Sequence, residues 1–117
     1  KYSRNIRVTR IVDTFLEHAR VWYFGNGGKP KLFLGSPDWM RRNLYRRIEA
    51  VTPILDPDLK RELSDMLSIQ LSDKRKACFV DDHLRNRWKS ARPQKEKVRA
   101  QYTFYEYLKS GELRVES

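Results

Sequence analysis

The first part of the chain carries apolar residues at helical spacing. Val8, Ile11, Val12, Phe15 and Leu16 recur at intervals of three and four residues, which brings their side chains to one side of an α-helix. This pattern predicts an amphipathic helix as the first element of the fold.

The pattern changes at His18, where aromatic and β-branched residues begin to predominate. The run from His18 to Phe24 has the composition of a strand. Gly25–Gly28 predicts a turn after it, because glycine and asparagine accept positive φ at low cost. Lys31–Leu34 is then the expected return strand of a hairpin.

Ser36–Asp38 has the composition of a helix start. It combines a capping hydroxyl, a proline suited to the first helical position and an acid for the first turn. Trp39, Met40 and Leu44 are expected to pack inward from the short helix that follows. Alternating apolar residues over 48–54 then predict a further strand.

The same helix-start pattern returns at Asp56–Asp58. The apolar residues that follow at helical spacing predict a helix running to about Ser72. A short strand is expected at Ala77–Val80, where small and apolar residues lie together.

The last third of the chain is more polar. Residues 84–99 are expected to form a loop, because basic residues dominate them. A final helix over 97–110 is expected to end at Gly111, since glycine is a usual helix terminator. Helices and strands alternate along the whole chain, so the predicted class is α/β.

Length and composition limit the protein to a few classes. The 117 residues suffice for one domain, expected over residues 1–117, and 39% apolar with 34% charged residues is typical of a globular domain. No apolar stretch is long enough to cross a bilayer, and no signal peptide is visible. The single cysteine excludes an internal disulfide and favours a reducing, cytoplasmic setting.

The net charge narrows the range of partners. Lys and Arg outnumber Asp and Glu by 25 to 15, which gives a formal charge of +10. Such a field attracts polyanions. Nucleic acid, an acidic membrane surface, nucleotides and inorganic phosphate chains all satisfy this condition.

His18 is a candidate for phosphoryl chemistry. In a strand, the side chains of His18 and Arg20 point to one face, because a strand has period two. An imidazole can accept a proton or a phosphoryl group, and a guanidinium binds phosphate oxygens in a two-pronged contact. The alternative is that His18 merely ends the first helix, where the helix dipole favours it.

A second basic cluster follows Ser36. A helix start offers unpaired N–H groups to phosphate, and Arg42 and Arg47 lie on adjacent sides of the predicted helix. This local chemistry makes Ser36, Arg42 and Arg47 candidate phosphate contacts. A solvated basic face is the alternative explanation.

A third basic stretch, over residues 85–99, contains Trp88. Aromatic and basic residues together can bind single-stranded nucleic acid. No zinc site is indicated, because Cys78 and two histidines supply too few ligands. A glycine-rich phosphate loop is not indicated either, since no Lys-Ser/Thr pair follows the glycines.

Three runs of residues, in order, resemble the C-terminal region of the long-form bacterial polyphosphate kinases. Ile11–Arg20 resembles that family's segment leading into its second essential histidine. Ser36–Leu44 resembles its Ser-x-Asp-Trp-Met-x-Arg-Asn-Leu signature, and Lys97–Tyr107 its closing helix. The resemblance covers almost the whole chain.

The resemblance implies a phospholipase D-like α/β domain with a mixed sheet flanked by helices. It implies an enzyme that reversibly moves the terminal phosphate of ATP onto inorganic polyphosphate with Mg²⁺, whose ligands lie outside this segment. The phosphorylated histidine belongs to an earlier domain, and His18 corresponds to the second active-site histidine. We therefore expect ATP and phosphate contacts from a set of five residues. These are His18, Arg20, Ser36, Arg42 and Arg47.

Further expectations follow from the family. The partners are ATP, ADP and polyphosphate, with no specific nucleic acid, and the enzyme is a homo-oligomer of the cytoplasm with peripheral membrane association. The segment alone should be inactive. Two rival functions remain, a nucleic-acid-binding module and a phospholipase D-type hydrolase. The hydrolase pattern needs an aspartate where Gly25 and Asn26 stand, which suits a kinase better.

Overall fold

The computed structural model describes residues 3–89 and 98–115. Within them lie six strands and three α-helices, and the contacts divide the chain into two compact units. The continuous unit is Glu17–Asp65, and the split unit joins Lys1–Leu16 to Met66–Ser117. The elements, in chain order, are β1 (Thr9–Ile11), β2 (Val21–Phe24), β3 (Lys31–Gly35), α1 (Arg41–Tyr45), β4 (Val51–Ile54), α2 (Pro57–Ser72), β5 (Ala77–Val80), β6 (Asn86–Trp88) and α3 (Ala100–Val115).

The predicted α/β class is confirmed, with a difference in the sheet. The described strands form two separate three-stranded sheets, in the orders β2-β3-β4 and β1-β5-β6, and every neighbouring pair is antiparallel. One mixed sheet was expected. Short turns join β2 to β3 and β5 to β6, which favours antiparallel pairing there, whereas β3 with β4 and β1 with β5 pair antiparallel across longer connections.

The continuous unit is built on the predicted hairpin. β2 pairs with β3 through Val21↔Leu34, and the turn between them places Gly27 and Gly28 at φ values of 61° and 89°. The predicted return strand is confirmed. The first strand begins at Val21 and not at His18, so His18 precedes the sheet.

Gly35 closes β3 at a point where no side chain fits. A Cβ placed there would lie 2.8 Å from the Trp22 ring and 2.9 Å from the Ala50 carbonyl oxygen. Such distances are below ordinary van der Waals contact, so Gly35 allows the backbone to pass between these two groups. The sheet's core is small, with Leu32 only 1% exposed.

The predicted helix after Ser36 is displaced. It begins at Arg41 and has five residues, and its single buried side chain is Asn43. Trp39, Met40 and Leu44 were expected to pack inward but are all exposed, Trp39 by 83%. A single turn of helix offers too short an apolar face to bury three large side chains.

The split unit contains β1 where a helix was predicted. Val8 and Val12 flank this strand, and their backbone groups pair with those of Val80 and Lys76. The helix prediction, which rested on the spacing of apolar residues, was wrong, because pairing with β5, far away in sequence, decides the structure of this segment. The predicted strand at Ala77–Val80 is confirmed.

Two further predictions in the split unit were wrong. Residues 86–88 of the expected loop form β6, which pairs with β5. The last helix runs through Gly111 to Val115, because glycine only weakens a helix interior and ends it when the backbone turns left-handed. Its predicted start at Lys97 lies outside the described residues, and the observed start is Ala100.

Asp73 is the polar centre of the split unit. Its side chain is fully buried, and Oδ1 accepts hydrogen bonds from the backbone N–H groups of Arg75, Lys76 and Ala77. Oδ2 accepts from the N–H of Ala100, the first residue of α3. One carboxylate therefore joins the turn before β5 to the start of the last helix.

The long helix α2 confirms its prediction. Its N-terminal N–H groups, on Asp58 and Leu59, donate to Oδ1 of Asp56, which is the capping role expected of that residue. None of the helices in the described residues is long and apolar enough to span a membrane.

Candidate active site

The hairpin of the continuous unit brings Arg20 and Asp38 together. Arg20 precedes β2, and its carbonyl oxygen accepts a hydrogen bond of 3.1 Å from the N–H of Gly35, the last residue of β3. Asp38 follows three residues later. Arg20 Nε donates to Asp38 Oδ1 at 2.7 Å, so strand pairing has turned two distant sequence positions into an ion pair.

His18 lies beside this ion pair. Arg20 Nη1 is 3.4 Å from the His18 carbonyl oxygen, and Arg20 Nη2 is 3.4 Å from His18 Nδ1. The predicted pairing of His18 with Arg20 is therefore present, although the guanidinium folds back to the ring outside any regular strand. The alternative in which His18 ends a helix fails, because residues 3–17, the described part of the preceding segment, contain no helix.

An open cavity of about 130 Å³ lies at this point. It is lined by Glu17, His18, Ala19, Arg20 and Asp38. The ring and the guanidinium thus border space that a small anionic group can enter.

The charges around the cavity favour an ionised carboxylate. The hydrogen bond from Arg20, followed by the positive fields of Arg20, His18 and Arg42, holds the pKa of Asp38 below its usual range. The reciprocal hydrogen bond raises the pKa of Arg20. At neutral pH the site therefore holds a fixed guanidinium–carboxylate pair.

Ser36 lies in a second hydrogen-bond network. Its Oγ donates to Glu49 Oε2 at 2.6 Å and accepts from the N–H of Ala50 at 3.1 Å. Asn43 Nδ2 donates to Glu49 Oε1 at 2.8 Å. The single hydroxyl proton of Ser36 is already used, so the side chain fixes the loop, and its phosphate contact stays a prediction.

Glu49 has an environment like that of Asp38. Hydrogen bonds from Ser36 and Asn43, with the positive fields of Arg47 and Arg20, lower the pKa of Glu49. Arg42 and Arg47 are exposed, and each acts on one of these two carboxylates through its field. Arg42 and Arg47 therefore lie close enough to Asp38 and Glu49, respectively, to act on them electrostatically, while direct contacts of either arginine with phosphate stay predictions.

The helix-start prediction for phosphate binding does not hold in its original place. The α1 helix begins at Arg41, five residues after Ser36, and is only five residues long. The anion-attracting feature of this region is therefore its arginine side chains and not a helix dipole.

The described residues contain no cluster of metal-ligating side chains. No group of three or more His, Cys, Asp or Glu side chains in residues 3–89 and 98–115 is arranged to hold a metal ion. At the cavity, one carboxylate oxygen of Asp38 accepts a hydrogen bond from Arg20. The expectation that Mg²⁺ ligands lie outside this segment stays a prediction.

Sequence reasoning missed three residues of this region. Asp38 was interpreted as a helix-start acid, Asn43 was assigned no role, and Glu49 was concealed by the alternating pattern of a predicted strand. The signal for Asp38 was present, because it is the acid of the Asp-Trp-Met run that follows a glycine at the end of a strand. The contacts of Glu49 with Ser36 and Asn43 could not be predicted, since they depend on the conformation of the loop.

Comparison with known proteins decides the family. The model for polyphosphate kinase C-terminal domain 2 matches residues 1–101. The chain belongs to the polyphosphate kinase family. Polyphosphate kinase of Escherichia coli K12 is 50% identical over 110 residues, 94% of this chain and 16% of that protein. Polyphosphate kinase of Vibrio vulnificus strain YJ016 is 42% identical over the same length.

A solved structure agrees with this assignment. The crystal structure of polyphosphate kinase from Porphyromonas gingivalis matches with a TM-score of 0.88 and 55% identity, over 95% of this chain and 17% of that one. The phospholipase D-like fold expected from the resemblance is consistent with membership of the polyphosphate kinase family. The chain spans about a sixth of the length of the polyphosphate kinases that it matches.

Proposed function

We propose that this segment supplies the second histidine and part of the phosphate-binding surface of an ATP:polyphosphate phosphotransferase. The full enzyme would transfer the terminal phosphate of ATP reversibly to polyphosphate, through a phosphohistidine formed in a domain outside these residues. Family membership supports the reaction class. The local geometry supports the assignment of the site.

The observation that carries the proposal is the contact between His18 and Arg20 at an open cavity. A guanidinium 3.4 Å from an imidazole nitrogen gives the two groups a common ligand position. A transferring phosphoryl group carries its charge on three oxygens, and arginine is well suited to bind two of them at once.

The remaining cations extend this surface. Arg42 and Arg47 are exposed near the two anchored carboxylates, and the net charge of +10 attracts a polyanion over longer distances. In this arrangement catalysis depends on positioning and charge stabilisation more than on covalent chemistry by this segment. His18 would donate or accept a proton at the phosphate.

ATP, ADP and polyphosphate are the proposed ligands of the full enzyme. Mg²⁺ would accompany the nucleotide, and no step assigned to this segment uses it. Because the phosphorylated histidine lies outside these residues, the segment alone should be inactive.

The test uses the full-length enzyme with γ-labelled ATP and Mg²⁺. Wild type should form acid-labile protein phosphate and long labelled polyphosphate. His18→Ala should reduce polyphosphate synthesis by about 100-fold or more, which is the usual effect of losing a proton-transfer group. His83→Ala is the matched control, because His83 is the other histidine and lies on an exposed turn.

Two outcomes would contradict the proposal. Near-normal synthesis by His18→Ala would remove His18 from the reaction. A wild-type enzyme that makes no polyphosphate, but binds nucleic acid with a steep salt dependence, would favour the rival binding function.

A further inference from the structure

We propose that Asp38 is a positioning residue of this site, which holds Arg20 in the orientation that serves His18 and the phosphate. The inference rests on the proposed function and deepens it. Its basis is a chain of contacts from the Asp38 carboxylate, through the Arg20 guanidinium, to the His18 ring.

The first contact fixes the plane of the guanidinium. Arginine has five N–H donors in one rigid plane, and Asp38 Oδ1 accepts the one on Nε at 2.7 Å. With Nε held, the two Nη groups cannot turn freely about the side chain. They lie 3.4 Å from the carbonyl oxygen and from Nδ1 of His18.

The second contact places the Arg20 guanidinium beside the imidazole, with Nη2 3.4 Å from Nδ1. In the tautomer whose Nδ1 carries no proton, Nδ1 accepts from this N–H group and the ring presents Nε2–H as a hydrogen-bond donor. Asp38 thus acts on His18 without touching it, through the orientation of Arg20.

The backbone delivers Asp38 to this place. Gly35 N–H pairs with the Arg20 carbonyl, and the next residue, Ser36, pairs through its N–H with the Ala50 carbonyl at 3.0 Å. The segment that carries Asp38 is therefore hydrogen-bonded on one side to the residue before β2 and on the other side to the residue before β4. A carboxylate in this position follows from the hairpin register and not from chance contact of long side chains.

Asp38 also lies on the cavity wall with His18 and Arg20. Only one of its oxygens is engaged by Arg20, and the side chain is about one third exposed. The alternative to be tested is that Asp38 contacts the substrate or its cation directly.

The experiment is a double-mutant cycle in the full-length enzyme. The variants are Asp38→Asn, Asp38→Ala, Arg20→Lys and the combination of Asp38→Ala with Arg20→Lys. Asp58→Asn is the matched control, because Asp58 forms an arginine ion pair of 2.6 Å with Arg61 on the exposed side of α2. Steady-state kcat and KM for ATP are measured, together with thermal unfolding of each variant.

We expect Asp38→Ala to lower kcat by roughly 10- to 100-fold, with KM for ATP changed less than about threefold, because misplacing a catalytic group affects the transition state most. Asp38→Asn should lose less, roughly threefold to tenfold, since its amide oxygen still accepts from Nε. Lysine lacks the planar fork. In the Arg20→Lys background, Asp38→Ala should therefore cause little further loss.

Independent, multiplying effects of Asp38→Ala and Arg20→Lys would overturn the positioning role. So would a large rise in KM with unchanged kcat, which indicates direct substrate contact. If Asp38→Ala does not fold, an unchanged kcat in Asp38→Asn is enough to overturn the positioning role. Absence of polyphosphate synthesis in wild type overturns the proposed function as well, whereas an active wild type with independent effects overturns only the role of Asp38.

Discussion

Both units contain carboxylate–arginine pairs, and the Asp13–Arg99 pair of the split unit is built differently from the Asp38–Arg20 pair of the continuous unit. In the split unit, Arg99 donates from Nε and Nη2 to both oxygens of Asp13, at 2.8 and 2.6 Å, and its guanidinium lies 4.1 Å from the centre of the Tyr102 ring. The Asp13 side chain is only 1% exposed. In the continuous unit, Arg20 gives Asp38 a single contact beside an open cavity.

The two pairs differ in how many guanidinium N–H groups the carboxylate engages. Two-pronged binding in a covered position commits the Arg99 guanidinium to holding Asp13, so this pair stabilises structure. The single Nε contact leaves both Nη groups of Arg20 directed towards His18. Similar chemistry thus supports the fold in one unit and the proposed site in the other.

The largest expected effect concerns the buried carboxylate of the split unit. Asp73→Ala leaves the N–H groups of four residues without their acceptor, and should destabilise the chain by about 3–5 kcal/mol. Hydrogen exchange at Ala77 and Ala100 should accelerate most. Slow exchange at both amides in this variant would show that the carboxylate is not what holds the unit together.

In the continuous unit, adding one methyl group at Gly35 tests the close packing of the backbone there. Gly35→Ala places a Cβ against the Trp22 ring and the Ala50 carbonyl, neither of which can move easily, and should cost about 2–3 kcal/mol. Because Gly35 pairs with Arg20, activity of the full enzyme should fall as well.

Gly25→Ala is the matched control for that change. Its backbone has φ of −62° and its Cβ would meet no atom within 4 Å, so the substitution should leave activity unchanged and stabilise the fold slightly, by up to about 1 kcal/mol. Equal effects of the two substitutions, measured by thermal unfolding, would remove close packing as the reason for glycine at position 35.

These glycines show how far sequence reasoning reaches. The turn at Gly25–Gly28 and the helix start at Asp56 were predicted correctly, because both depend on neighbouring residues. The role of Gly35 depends on Trp22 and Ala50, which the hairpin and the next strand bring close. Such long-range contacts leave no pattern in the neighbouring residues, so they cannot be predicted from them.

The same limit applies to the site and to the first strand. The sequence indicated His18 and Arg20 as partners, and the resemblance indicated the family, because the pairing and the family motifs each depend on residues close together in the sequence. It missed Asp38 as the third member, since an acid after a proline has an equally good local explanation as a helix start. It also predicted a helix around Ile11, where pairing with distant Ala77 overrides the spacing of apolar residues.

A smaller effect is expected from Asp13, and it depends on pH. The hydrogen bond from Arg99 is the main cause that lowers the pKa of Asp13 from 3.8 to about 2, against the opposing effect of burial. That shift corresponds to about 2 kcal/mol of stability at neutral pH. Asp13→Asn should lose it, as measured by thermal unfolding at pH 7.

The sign of the pH dependence follows from the direction of the shift. A carboxylate whose pKa is lower in the folded state contributes fully above its unfolded value of 3.8, and the contribution disappears as the pH falls to about 2. The difference in unfolding between wild type and Asp13→Asn should therefore be constant from pH 7 to 5 and shrink below about pH 4. A constant difference down to pH 2 would mean that the carboxylate charge is not involved.

The smallest effect is expected from the exposed pair on α2. Arg61 donates to Asp58 at 2.6 Å, a distance as short as that within the Asp13–Arg99 pair, yet both side chains are at least 70% exposed. Solvent screens such a pair, so Asp58→Asn should change stability by less than about 0.5 kcal/mol and leave kcat unaltered. A loss comparable to that of Asp13→Asn would show that contact distance alone, and not burial, decides what a carboxylate–arginine pair contributes in this protein. The small expected effect makes Asp58 the reference against which any loss of activity in Asp38 variants is assigned to the site.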